Sequence, residues 1–148
     1  NFRPMFIFAN GERVGNAQVF DTYKEAHDSA KAFKIVEQHG PHLKTLFHGL
    51  DGSRTLPYGR WLTAVKKEVK DGTSKTTYLS GWHVLKSRSV AEDYLRAFTK
   101  RLDLLKIVPV DVRGEVRLKA HSRSEVYLAD EMRLHEDLVR YLDEGGEL

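Results

Sequence analysis

Cysteine is absent from this chain of 148 residues. Its absence excludes a disulfide scaffold, a cysteine-ligated zinc or iron–sulfur site, and catalysis by a thiol nucleophile. It is typical of proteins in the reducing cytoplasm, where we expect this one to be located. Long apolar runs are absent as well. The longest near the start covers residues 5–9, well below the roughly 20 residues that cross a membrane, so we expect no membrane association.

The sequence also lacks the motifs of the common enzyme classes. It contains no G-x-S-x-G, no phosphate-binding loop, no G-x-G-x-x-G, no H-E-x-x-H and no calcium loop. The one cluster among its seven histidines is formed by His39, His42 and His48. Because Gly40 and Pro41 predict a turn between the first two, we expect no metal site there. With none of the motifs above present, we also expect no bound cofactor.

What the sequence does contain is enough apolar material for one folded domain. Hydrophobic residues make up 41% of the chain, and 24 basic side chains face 21 acidic ones. This length suits a single domain over residues 1–148. Turn-forming pairs such as Asn10-Gly11 separate short apolar segments, which is typical of antiparallel hairpins. We therefore predict an α+β fold with a mostly antiparallel sheet. Since residue 1 is Asn rather than Met, we also expect residues upstream of it.

Three segments carry the spacing of amphipathic helices. The first, over residues 22–39, begins with a capping box of Thr22 and Glu25. The second begins at Ser89, and a short third helix spans residues 132–142. We expect the two main helices to pack on one face of the sheet.

The segments between these helices are predicted to be strands. Pro109 lies inside the most strand-like of them and favours an edge or a bulge there. Residues 19–33 and 84–98 share alanine, aspartate and phenylalanine at matching positions, which favours a duplicated β-α-β unit. The alternative is that any strand leading into a capped helix gives this pattern. For residues 60–70 a helix is the alternative, since Leu62, Val65 and Val69 also fit helical spacing. The predicted strands are residues 5–9, 12–20, 43–50, 60–70, 76–86, 104–113, 115–120 and 125–128.

Basic residues are concentrated in the middle third of the chain. Residues 52–101 hold 11 basic and 4 acidic residues, a net charge of +7, whereas residues 102–148 carry −4. Interleaved cations and aromatic rings are typical of proteins that bind RNA or DNA, because cations contact phosphates and rings stack on bases. The alternative is that the tryptophans lie in the core and the lysines line a solvated edge. The predicted binding residues are Arg54, Tyr58, Arg60, Trp61, Lys66, Lys67, Lys70, Trp82, Lys86 and Arg88.

A predicted strand that ends in His48-Gly49 resembles the start of the catalytic core of ADP-ribosyltransferase-like proteins. In that family the histidine holds a ribose, a later tyrosine stacks on nicotinamide, and a glutamate acts on the ribose. The resemblance implies an enzyme site of His48, Glu125 and either Tyr78 or Tyr94. The stretch over residues 81–84 departs from the family, since it lacks the usual tyrosine-phenylalanine pair.

Two further segments, residues 10–33 and 80–94, resemble small uncharacterised proteins of bacteriophages and prophages. The first contains Gly15-Asn16 followed by Phe-x-Thr-x-x-Glu-Ala, and the second contains Gly-Trp-His-Val. The resemblance implies an accessory protein that binds a host protein or a defence complex in the host cytoplasm without catalysis. We predict that function, with nucleic-acid binding and an ADP-ribosyltransferase-like enzyme as the alternatives.

Overall fold

The computed structural model of the protein describes residues 17–46, 53–71, 76–100, 102–119 and 125–148. Over these ranges the chain forms three helices, a six-stranded sheet and a separate two-stranded ribbon. Every strand pairing is antiparallel, which confirms the predicted α+β fold. In chain order the elements are α1 (Ala17–Ser29), β1 (Phe33–His39), β2 (His42–Lys44), β3 (Leu62–Thr63), β4 (Glu68–Lys70), β5 (Thr77–Leu79), β6 (Trp82–Leu85), α2 (Arg88–Leu95), β7 (Leu105–Leu118), β8 (Val126–Leu134) and α3 (Glu136–Asp143).

Four strands of the large sheet pair in a closed ring. β1 pairs with both β6 and β7, and β8 pairs with the same two strands. β2 extends the sheet beside β1, and β3 extends it beside β8. β7 closes the ring because it is long, pairing with β1 through residues 105–109 and with β8 through residues 110–118.

Separate apolar clusters cover the two faces of this sheet. Neighbouring residues of a strand point to opposite faces, and Val36 and Val108 belong to one cluster whereas Ile35 and Ile107 belong to the other. α1 and α3 pack on the first cluster, and α2 packs on the second through the buried Ala91. The prediction that the two main helices share one face is therefore wrong. A sheet that is apolar on both faces needs a cover on each.

The first helix begins and ends earlier than predicted. α1 ends at Ser29, and the predicted second half of the helix is the strand β1. The first five residues of β1 are all buried, so this segment has no alternation that distinguishes a strand from a buried helix. Thr22 is not a cap, because its hydroxyl donates 2.7 Å to the carbonyl of Gln18 one turn earlier.

Other predicted boundaries are corrected by local contacts. Ser87, rather than Ser89, caps α2, and its hydroxyl oxygen accepts the backbone N–H of Val90 at 3.2 Å. The predicted turn at Gly114 is a bulge inside β7, where this glycine has a φ of +79°. Pro109 lies where β7 passes from pairing with β1 to pairing with β8. The predicted third helix is shorter, since residues 132–134 belong to β8.

The predicted strands over residues 60–70 and 76–86 are each divided in two. β3 and β6 join the large sheet, whereas β4 and β5 pair with each other as the ribbon. The duplicated unit is not present in the structure, because residues 19–20 are helical whereas their counterparts 84–85 form a strand. The predicted strand over residues 5–9 and the Asn10-Gly11 turn lie outside the described residues.

The end of the chain packs against α3 through Tyr141. This buried ring stacks on Tyr23 at 4.3 Å between centroids and meets the ring of Phe20 edge-on at 4.6 Å. Its hydroxyl donates to the carbonyl of Glu147. A Cβ atom added at Gly146 would lie 2.5 Å from the Tyr141 ring, so only glycine fits beside it.

We expect Gly146→Ala to lower the free energy of unfolding by about 1–3 kcal/mol, the usual cost of overpacking. The ring of Tyr141 cannot yield, since two other rings hold it in place. Urea unfolding measures the change, and Glu144→Gln is a control at an exposed position of the same turn. An unchanged midpoint for Gly146→Ala contradicts this packing.

Candidate functional site: the Trp61 surface

The ten residues predicted to bind a ligand do not form one surface. Trp82 is only 6% exposed, and its indole N–H donates to the carbonyl of Leu62 at 2.8 Å. It therefore belongs to the core and has no free face on which a base could stack. For Trp82 the prediction of a surface binding residue is wrong, because burying the large ring stabilises the core.

Arg54 and Tyr58 hold the β1–β2 hairpin to the chain that follows it. The guanidinium of Arg54 lies 3.3 Å from the buried carboxylate of Glu37, and it donates to the carbonyl of Thr45 at 3.1 Å. The Tyr58 hydroxyl donates to the carbonyl of Pro41, and partial burial raises its pKa. Both side chains have structural contacts that a ligand would have to break.

The predicted lysines and arginines differ in how far they are neutralised. Lys66 lies 2.7 Å from Asp130, and Lys86 lies 2.6 Å from Glu125. Arg88 contacts a histidine of α1. Among the described residues, three exposed cations of the predicted set have no ion-pair partner. These are Arg60, Lys67 and Lys70.

The structure describes only part of the predicted enzyme site, because His48 lies outside the described residues. The hydroxyl of Tyr78 lies 3.0 Å from Nε2 of His83, and desolvation raises the pKa of this tyrosine. Glu125 is about half exposed, and its hydrogen bond with Lys86 lowers its pKa. The enzyme hypothesis therefore stays a prediction.

Trp61 lies over a ladder of charges on β7 and β8. The register places Asp111 opposite Arg133 and Arg113 opposite Glu131. Arg113 donates through two nitrogens to the two oxygens of Glu131 at 3.2 and 3.1 Å, and Arg133 donates to one oxygen of Asp111 at 3.3 and 3.0 Å. The guanidinium carbons of Arg113 and Arg133 lie 4.2 and 4.6 Å from the Trp61 ring centre. We refer to these five residues as the Trp61 surface.

Local alternation explains why Trp61 faces outward. Leu62 at the start of β3 is buried and pairs with Met132, so the side chain before it lies on the opposite face, beside Arg133. The side chains of Arg113 and Arg133 are 52% and 43% exposed, and the indole is half-buried between solvent and protein. Each guanidinium contributes about 0.5–1 kcal/mol of attraction to the ring at such an exposed site.

Four residues of the Trp61 surface were not predicted from the sequence. They lie in the acidic last third of the chain, outside the basic region that directed the prediction. The available signal was two short patterns, Asp-Val-Arg and Glu-Met-Arg, which place opposite charges on one face of a strand. These patterns begin at Asp111 and Glu131.

With this geometry described, the chain can be compared with known proteins. The comparisons with family models, with curated proteins and with solved structures found no match. The resemblance to phage proteins therefore stays a prediction. In the parts of the chain that the structure describes, no helix is long and apolar enough to cross a membrane. In the same ranges, no three metal-ligating side chains lie close enough together to hold an ion.

Proposed function

We propose that this chain is a non-enzymatic accessory protein of the phage or prophage type that binds a host protein or a defence complex. The Trp61 surface is the contact region in this proposal. The observation that carries it is a partly exposed indole held beside Arg113 and Arg133. Tryptophan and arginine are enriched among residues that dominate binding energies, and a ring already held in place loses little entropy on binding.

The charge of the Trp61 surface favours a protein over a nucleic acid. Binding to nucleic acid depends on cations that replace the counterions of phosphates. Arg113 and Arg133 each have a carboxylate within hydrogen-bonding distance, so the five residues carry no net charge. A protein partner can contact the indole and rearrange both ion pairs at its rim, where such pairs contribute to specificity.

We expect Trp61→Ala to lower the capture of a partner from bacterial lysate by roughly 30-fold, since a central anchor contributes about 2 kcal/mol or more. The measurement is a tagged pull-down with nuclease present, quantified by mass spectrometry. Lys67→Ala is the matched control, because this lysine is exposed and lies away from the ladder on β7 and β8. Circular dichroism establishes that both variants fold.

Two results count against this proposal. Equal capture by wild type and Trp61→Ala contradicts the role of the Trp61 surface. A partner that disappears with nuclease, and is lost on replacing Lys67 and Lys70 by glutamate, supports the nucleic-acid alternative. In that case binding should weaken steeply as the salt concentration rises.

A further inference from the structure

A cavity of about 440 Å³ opens where α1 ends and α2 begins. The cavity is open to solvent, and its volume is large enough for a small molecule that stays partly exposed. The walls come from the end of α1, the start of β1 and the loop from β6 to α2. The side chains that matter for a ligand are His27, Asp28, Phe33, Lys86 and Arg88.

A chain of hydrogen bonds orients Arg88 at this cavity. Its guanidinium lies 2.8 Å from Nε2 of His27, and Nδ1 of His27 lies 3.4 Å from Asp28. Desolvation lowers the pKa of His27, so at neutral pH its Nε2 accepts a hydrogen bond from the guanidinium. Asp28 is in turn held by Lys24 at 2.6 Å. The charge of Asp28 is therefore compensated by a residue outside the cavity wall.

The two cations of the cavity have only surface ion pairs. Lys86 pairs with Glu125, and Nε of Arg88 lies 3.8 Å from the carboxylate of Glu92. All four side chains are about half exposed, and pairs of this kind contribute little because water and salt screen them. An anion that contacts both cations at once can replace these pairs at a small cost.

We propose that this cavity binds a small phosphomonoester, with its phosphoryl group on Arg88 and Lys86 and its carbon part beside the apolar wall of Ala30 and the largely buried Phe33. A guanidinium matches two oxygens of a phosphoryl group, and an ammonium can contact a third. A carboxylate has only two oxygens, so it forms fewer hydrogen bonds with the guanidinium and the ammonium than a phosphoryl group does. This site is distinct from the Trp61 surface and does not depend on the function proposed there.

The test is isothermal titration of the full chain with phenyl phosphate, benzoate and benzyl alcohol, which share one ring and differ in the head group. We expect phenyl phosphate to bind most tightly. Arg88→Gln should weaken its binding by about tenfold, since hydrogen bonds to charged groups are lost. Glu125→Gln should strengthen it by about two- to fivefold, because Lys86 is released from its ion pair. Lys67→Gln, at an exposed cation elsewhere, should leave it unchanged.

Arg88→Gln and Glu125→Gln should change the affinity in opposite directions. The second variant therefore keeps the test decisive even if Arg88→Gln disturbs α2. Absence of phenyl phosphate binding at millimolar concentrations overturns the proposal. Equal affinity for benzoate overturns the phosphoryl assignment, and equal losses in Arg88→Gln and Lys67→Gln indicate non-specific attraction. Tighter binding by Glu125→Gln, together with unchanged binding by Lys67→Gln, supports the site.

Discussion

Replacement of Lys34 by methionine should stabilise the protein by about 2 kcal/mol at pH 7. Lys34 is only 6% exposed and lies inside the sheet. Its Nζ donates to the carbonyl of His83 at 2.8 Å and lies 5.7 Å from the centre of the Trp82 ring. No carboxylate pairs with it among the described residues, and desolvation lowers its pKa to about 8. Methionine has a similar length and no charge, so it removes the cost of the buried ammonium.

The same lysine should make the stability of the protein depend on pH. Between pH 8 and about 10.5 the unfolded chain holds a proton on Lys34 that the folded chain has lost, so the free energy of unfolding rises with pH. From pH 7 to 9.5 the increase should be about 2 kcal/mol for a pKa that moves from 10.5 to about 8. Below pH 8 the full cost of the buried charge is present.

Urea unfolding of the wild type and of Lys34→Met between pH 7 and 9.5 measures this effect. The wild type should gain stability over this range relative to the variant, whose stability should stay nearly constant. Measurements should remain below pH 10, because burial raises the pKa of Tyr23. Above that pH Tyr23 loses its proton in the unfolded protein but keeps it in the folded protein, which lowers the free energy of unfolding. Parallel curves for the two proteins would contradict a buried, ionisable Lys34.

Arg54→Met should lower the free energy of unfolding by about 3 kcal/mol, because it leaves the buried carboxylate of Glu37 without its guanidinium partner. Glu37 is 1% exposed, and one of its oxygens lies 3.3 Å from Arg54 while the other lies 3.0 Å from His39. Without the guanidinium, the carboxylate remains buried with less compensation. The carbonyls of Thr45 and Leu46 also lose a donor.

Chemical denaturation of Arg54→Met, Glu37→Gln and the double variant measures the coupling between these two side chains. The double variant should be less destabilised than the sum of the two single changes, because a neutral amide needs no cation. Arg60→Met is the control, since Arg60 is exposed and has no ion pair within the described part of the chain. If Arg54→Met unfolds like this control, the contact of Arg54 with Glu37 does not stabilise the fold and the prediction is wrong.

The second helix was the most accurately predicted element, and the first helix the least. α2 is short, has a serine cap and carries its apolar residues at helical spacing, so local signals agree. The prediction misplaced only its cap, by two residues, from Ser87 to Ser89. Phe33 and Val36 also fit helical spacing, but both faces of this segment are buried and the spacing there was coincidental. Strand pairing with β7 decided its conformation.

The Trp61 surface shows why a binding surface is harder to predict than a helix. Trp61 and Arg113 are 52 residues apart in the sequence, and only the register between β3, β8 and β7 brings them together. Strand pairing also explains the burial of Trp82, a second tryptophan in a predicted strand that lies in the core. Side-chain composition alone does not distinguish an outward face from an inward one.

The sequence by itself determined the α+β class, the antiparallel sheet, the start of α2 near Ser87 and the uneven distribution of charge. These properties depend on propensities and spacings within a few neighbouring residues. The tertiary structure alone decided which face each helix covers, which tryptophan is exposed and which cations are neutralised. These properties depend on contacts between distant segments, where burial and pairing change the free energy of a side chain by several kcal/mol.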